Sequence, residues 1–298
     1  MINFVVIFFC VITGVVLKKY KKLPQDSHKS VNAWLMNIAL PAIALKYIPK
    51  IEWSTELIFP LLMPLFVWLG AALFIHLVAK RYAMSPATKT VLLLVSGLGN
   101  TSFLGFPLTQ AYYHEEGLKI AVLCDQACFI ITATFGIIVA VKASQNKKIK
   151  PSFLLKKVFS FPPFVISLCA LLISIISFDI SFLDPFLNII GATLIPLALF
   201  SVGLQLSIKE WRTDIRLISY SLLYKLLLAP LLILGISIFI ETSKLTHQVT
   251  ILEAAMAPMV TGAIIAADYN LNPKLANMIL GIGIPISLIT TFIWSLII

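Results

Sequence analysis

The residues best suited to chemistry in this chain lie where two hydrophobic segments break. The first, Thr90–Tyr113, is interrupted by Gly97, Gly99, Asn100, Thr101, Gly105 and Pro107. The second, Gln248–Asn270, is interrupted by Pro258, Thr261 and Gly262. Glycine permits left-handed backbone and close approach. Proline removes a backbone donor and disfavours helix in the residue before it. Asn100, Thr101 and Ser102 add side-chain donors and acceptors at the first break. A half-helix that begins beyond such a break presents free N–H groups and the positive end of its dipole. Two such ends meeting in a low-dielectric cavity favour an anion, most naturally a carboxylate. Kinks made only for packing are the competing reading. Two breaks at corresponding places, one carrying Asn-Thr, favour a transporter's binding site.

Ionisable residues inside apolar spans are functional candidates by default. Asp125, beside Gln126, is suited to a coupling cation or proton, and equally to offsetting a helix dipole. Lys225, four residues before Ala229-Pro230, has three candidate roles: pairing with an acid, capping carbonyls freed by the breaks, or a proton-linked gate. Asp268 lies with Tyr269 and Asn270 near a span end. Asp268 and Glu253 read as boundary residues, although Asp268 and Asn270 stay on the list of coupling or gating candidates. His76 reads as packed or interfacial. The four cysteines, Cys10, Cys124, Cys128 and Cys169, all fall in apolar spans and read as small buried hydrophobes. No metal set surrounds Cys124 and Cys128. No phosphate loop, zinc motif or nucleophile triad occurs, so an enzyme is not expected. With no ATP site, no cofactor is expected beyond a coupling ion, H⁺ or Na⁺.

The elements that must hold these residues are membrane spans. The chain has 298 residues, 59% hydrophobic and 12% charged, with a mean hydropathy of +0.98. A soluble domain is about 25% charged, and one bilayer span needs roughly 20 apolar residues. Ten such segments lie near 2–18, 30–48, 57–79, 87–113, 117–141, 161–177, 185–206, 214–240, 248–270 and 274–298. A shift of 155 residues carries the first five spans onto the last five, Pro107 onto Gly262 and Pro41 onto Pro196. Five spans per half, an odd number, insert the halves in opposite directions, which makes an inverted repeat. The expected organisation is a first repeat over 1–141, a basic cytoplasmic linker over 142–160 and a second repeat over 161–298. Within the linker, Phe153–Phe159 reads either as a surface helix or as a solvated, topology-setting stretch.

The net charge of +10 is uneven, with 18 of the 23 basic residues on one side of the alternating loops. Lys46, Lys50, Lys119 and Lys244 lie on the other side with most of the acids. The positive-inside rule makes the basic side cytoplasmic, which puts both termini outside. Because the charge is spread over short loops between spans, nucleic-acid binding is not expected. The first span lacks a preceding positive residue and a clear cleavage site, so it does not read as a signal peptide. The expectation is a multi-pass protein of a bacterial plasma (inner) membrane.

The chain resembles the auxin efflux carrier family, which includes plant PIN-type auxin exporters and bacterial malate and malonate carriers. The residues that carry the resemblance run in order along the whole chain. They are Leu40-Pro41, then Gly99-Asn100-Thr101 through Gly105-Phe106-Pro107-Leu108, Phe200-Ser201-Val202-Gly203-Leu204, Lys225 with Pro230, Ala257-Pro258 through Ala266-Ala267-Asp268-Tyr269-Asn270, then Pro273 and Pro285. The resemblance implies an all-α, NhaA-like fold in which broken spans 4 and 9 cross. Spans 1, 2, 6 and 7 would be a scaffold, and spans 3–5 and 8–10 a mobile transport domain. It implies an organic-anion substrate met by Asn100, alternating access, and a homodimer through spans 2 and 7, with Leu40–Leu45 and Ile195–Gly203 as candidate contacts. The short central loop departs from the plant members, and so does the nearly apolar run Trp68–Leu77, where proton coupling would want acids.

The expected function is therefore secondary transport of a small carboxylate. Asn100 and Thr101 would contact the anion, with Gly99 and Gly105 beside them. Pro107 and Pro258 would hold the crossing open, and Thr261 and Gly262 would expose the second helix end. Pro41 and Pro196 are scaffold prolines. The alternative is a cation/proton antiporter on the same architecture, which wants an Asp pair at the crossing where the sequence places none. A sensor or membrane scaffold would need a signalling domain.

Overall fold

The computed structural model describes residues 2–24, 26–145, 156, 159, 162–206 and 214–298. Of the expected linker, helix continues to Gln145, while the Phe153–Phe159 stretch lies outside the described residues apart from Lys156 and Phe159. Lys147, Lys148, Lys150, Lys157, Lys209 and Arg212, which helped to assign the cytoplasmic side, also lie outside them.

The described residues form helices and no strands. They run α1 (Ile2–Lys19), α2 (Ser27–Lys50), α3 (Thr55–Arg81), α4 (Pro86–Ser96), α5 (Thr101–Ser144), α6 (Pro162–Ile175), α7 (Ser181–Gln205), α8 (Ile215–Ser237), α9 (Lys244–Ala254), α10 (Val260–Asp268) and α11 (Pro273–Ile297). Seven of these, α1, α2, α3, α5, α7, α8 and α11, are long and apolar enough to cross a membrane. The short helices start on local signals. Ser85 accepts from Thr88 N (3.1 Å) ahead of Pro86, Ser243 from Thr246 N (3.3 Å), and Asn272 from Leu275 N (3.2 Å) ahead of Pro273. Each satisfies a donor that the first helical turn leaves open.

At 44 residues, α5 would be about 66 Å long if straight, twice the ~30 Å apolar core. It is instead a hairpin. His114 takes φ 57°, ψ −156° and breaks the helix into arms 101–113 and 115–144. The bonds Thr101–Asp125 and Cys128–Gly99 tie residues at nearly matching distances from that break, 13 and 11 positions in one pair and 15 and 14 in the other, so the second arm runs back along the first.

Packing sorts the helices into two sets. In one, α1 lies along α7, and α2 packs on α6 and α7. The α1–α7 seam is close: a Cβ at Gly203 would sit 3.1 Å from Gly14 Cα, and Lys18 Nζ reaches Leu206 O (2.9 Å) at the end of α7. Ile7, Val11 and Gly14 face inward, while Phe8, Phe9 and Ile12 face outward. In the other set, α3 packs on α4, α5 and α8, α9 packs on α5 and α8, and α10 packs on α4 and α11. The α5 hairpin also reaches across to α1, α2, α6 and α7.

Among the described residues four five-residue π-turns interrupt the helices, at Leu35–Ala39, Thr101–Gly105, Thr132–Gly136 and Tyr224–Leu228. In three of them a proline, Pro41, Pro107 or Pro230, follows two residues later. A proline cannot donate to the carbonyl four residues back and collides with it, and a π-turn is one way to absorb the mismatch. Pro230 would strand Leu226 O, and Trp294 Nε1 of α11 fills that place at 3.0 Å.

Candidate functional site at the helix breaks

Between α4 and α5 the non-helical stretch is residues 97–100, and between α9 and α10 it is 255–259. The two stretches meet. Gly99 and Pro258 form an antiparallel bridge, and Asn100 N donates to Ala257 O at 2.9 Å. Both breaks are shorter than the sequence suggests. Gly105 and Pro107 lie inside the helical run of α5, because the π-turn takes up the proline. Thr261 and Gly262 lie inside α10. A Cβ on Gly262 would come within 2.7 Å of Leu94 O, so this glycine lets the first turn of α10 lie against α4. Pro258, within its break, is held in the bridge to Gly99.

Four helix ends converge on the bridge. Helices α4 and α9 end there, and the first arm of α5 and α10 begin there. Neither Asn100 nor Met259, the residues before the two starts, caps its helix with a side chain. The C-terminal ends are met by α8. Ser221 Oγ bonds Ser96 Oγ at 2.7 Å, and Lys225, one turn on, donates to Ala254 O at 2.9 Å. An ammonium at the negative end of a helix is favourable, and in this structure Lys225 caps α9. Gly99 leaves room for it, since a Cβ there would lie 3.1 Å from Lys225 Nζ.

Thr101, Gly105 and Thr109 are spaced by four and line one face of the first arm of α5. Along that face stand two carboxyl groups. Asp125, from the returning arm, accepts from Thr101 Oγ1. Glu253, in the last turn of α9, accepts from Thr109 Oγ1 at 2.8 Å and presses on Gly105, where a Cβ would fall 2.8 Å from Oε1. The expectation that Glu253 marks a boundary is corrected: its exposure is 0%. The crossing was expected to hold no aspartate pair, and the two acids found there are one aspartate and one glutamate. The sequence placed the break at 257–262, around Pro258 and Gly262, whereas the helix ends at Ala254, one residue after Glu253. Asn100, Asp125 and Lys225 are equally buried, at 4%, 0% and 1% exposure. Among the described residues Asn100 Nδ2, Asp125 Oδ2 and Glu253 Oε2 have no hydrogen-bond partner.

Other candidates lie elsewhere. Gln126 points to α6, accepting from Ser167 Oγ at 2.6 Å. Asp268 and Asn270 are exposed at the far end of α10, about 12 Å along the helix from its start. Asn270, at φ 49°, terminates that helix. Pro41 is buried in α2 and Pro196 half-buried in α7. His76 is exposed on α3. Cys128 Sγ donates to Gly99 O at 3.7 Å, Cys124 is buried, Cys10 is half-buried and Cys169 exposed. Among the described residues no group of histidine, cysteine and acidic side chains is arranged to hold a metal.

Comparison with known proteins places the chain among membrane transporters. The profile described as "Membrane transport protein" matches residues 1–295. An uncharacterized transporter of Methanocaldococcus jannaschii is 24% identical over 97% of this chain and 96% of its own length. One from Methanothermobacter thermautotrophicus is 22% identical over 96% and 94%. The Escherichia coli uncharacterized transporter YfdV is 24% identical over 91% and 88%. With a match along nearly its whole length and seven helices fit to cross a bilayer, the chain belongs to the membrane transport protein family, the auxin efflux carrier type, and is an integral membrane protein.

Proposed function

We propose that this protein is a secondary active transporter that carries a small organic carboxylate through the bilayer by alternating access. The observation that carries the reading is the Asn100 amide. It is an unpartnered donor, buried where two uncapped helix starts meet. A buried donor left unpaired costs about 1–3 kcal/mol, and a substrate oxygen relieves that cost. Thr101, expected to touch the anion, is already engaged by Asp125. The anion's donors are therefore Asn100 Nδ2 and the first N–H groups of α10.

The reading uses ten spans. Splitting α5 at His114 gives two, joining the first arm to α4 completes the fourth, α6 is the sixth, and α9 with α10 is the ninth. The set built around α1, α2, α6 and α7 serves as scaffold, and the set holding the bridge serves as the moving body. Halves 1–141 and 161–298 are the inverted repeats, both termini are outside, and the membrane is the bacterial plasma membrane. A dimer through spans 2 and 7 draws on outward residues such as Trp34, Ile38, Phe186 and Ile189, since Leu40, Ile43, Ala198 and Leu199 are buried within the protomer.

One observation favours the second reading, a cation/proton antiporter: Asp125 and Glu253 supply acids at the crossing. Proteoliposomes challenged with a panel of mono- and dicarboxylates, at two pH values with and without Na⁺, separate the two. The carrier reading expects saturable, gradient-driven flux of at least one acid. Zero flux of every acid beside robust Na⁺/H⁺ exchange overturns it in favour of the antiporter.

A further inference from the structure

We infer that Glu253 is the seat of a monovalent cation, a proton or Na⁺, whose binding admits the anionic substrate at Asn100. The inference rests on the carboxylate reading for its passenger but not for the cation site. Three ionisable side chains of the occluded bridge carry the argument. Two are acids, Asp125 and Glu253, and one is a base, Lys225, all at 1% exposure or less. Fully ionised, they leave a negative balance beside the place where an anion must bind. Isolated charge in a low-dielectric interior is expensive, so a carboxylate cannot enter until a cation offsets that balance. Lys225 is already counted in that balance, its one positive charge standing against two carboxylates.

Both acids keep one oxygen without a hydrogen-bond partner among the described residues, Asp125 Oδ2 and Glu253 Oε2, and it is the helix dipoles that tell the two apart. Asp125 sits at the positive start of α5, where the Thr101 hydroxyl and the helix dipole support its charge. Glu253 sits at the negative, C-terminal end of α9, where the dipole opposes a charge. Thr109 holds Oε1, while Oε2 faces Gly105 without a hydrogen-bond partner among the described residues. The groups that act on it electrostatically are Asp125 and Cys124 from α5 and Lys225 from α8. A bound proton turns Oε2 into a donor, and a bound Na⁺ uses it as a ligand. Either source supplies the one positive charge that the site lacks. The residue lies on α9, where a moving bridge would carry cation and anion together.

Infrared difference spectroscopy on the full-length protein reconstituted in lipid tests this without any substrate, with protons and Na⁺ as the probes. In a pH titration the wild type should show a protonated-carboxyl band that Glu253→Gln lacks and Asp125→Asn keeps, which identifies the proton. Alternatively, Na⁺ but not choline should shift a carboxylate band and raise the melting temperature, with both responses lost in Glu253→Gln. Thr109→Val, which removes only the donor to Oε1, should shift the midpoint of whichever response is seen, and it serves if Glu253→Gln fails to fold. A folded Glu253→Gln protein with wild-type responses to both cations overturns the inference, as does loss of the response in Asp125→Asn alone. If the cation response belongs to Glu253 while no carboxylate is transported, the site stands and the carboxylate reading falls.

Discussion

At the residue scale, the chemistry of the bridge follows from which polar atoms are already satisfied. The Thr101 hydroxyl is given to Asp125 and the Lys225 ammonium to a helix end. Asn100 is left with its amide nitrogen open although it is buried. Asn100→Ala removes that donor and little packing, so the fold should persist while substrate binding weakens about tenfold, or ~1.4 kcal/mol. Uptake kinetics in proteoliposomes, beside an unchanged helical circular dichroism spectrum, check it. A wild-type KM in that variant would remove Asn100 from the site. Asn100 was legible in the sequence because it sits between Gly99 and Thr101 in a broken span. Glu253 was not, since nothing in a sequence says how much of a segment is helical before it stops.

At the element scale, three π-turns precede prolines, and two of them carry site residues, Thr101 in one and Lys225 in the other. Sequence shows the proline, but only the path of the backbone shows whether the helix ends, kinks or widens there. Pro107 therefore read as part of a break and proved to sit inside a helix. The cost of Pro230 is met from a distance, by the Trp294 indole on Leu226 O. Trp294→Phe should destabilise the protein by about 1–3 kcal/mol by stranding that carbonyl. The same change in a Pro230→Ala background should cost less, because a backbone N–H again becomes available. Thermal melts of the four proteins of that cycle measure the difference, and strict additivity would refute the link.

The hairpin turn of α5 makes a separate demand. His114 occupies a region of backbone space that is essentially glycine's own, at a cost on the order of 1–3 kcal/mol. His114→Gly should therefore raise the melting temperature, and a lowered one would mean that the imidazole contributes more than the backbone loses.

At the scale of the whole molecule, two helix sets meet along the α5 hairpin, and the polar bridge lies wholly within one of them. The other set is held by close backbone contact, with Gly14 of α1 against Gly203 of α7. Small residues at such crossings let helices associate in lipid, where apolar burial gives little drive. Gly203→Leu should wedge α1 from α7 and destabilise the protein by roughly 1–3 kcal/mol or more. The bridge geometry in the other set should be left intact. Differential protease accessibility of α1 and α9 in the variant reads this out, and equal exposure of both would show that the sets do not behave as separate bodies.

Hydrophobic runs, Pro and Gly at the breaks and a charge excess on alternate loops were enough to establish a membrane protein with two interrupted segments. These are properties of composition and local backbone preference, and they do not depend on partners. The tertiary structure alone decided which helix ends face each other, that Asp125 already holds Thr101, that Lys225 caps α9, and that Glu253 is buried against Gly105. Each of those pairings joins residues 24 or more positions apart in sequence. The reason is physical: in a low-dielectric interior a polar atom is satisfied by whichever group packing brings to it, and no local pattern encodes that neighbour.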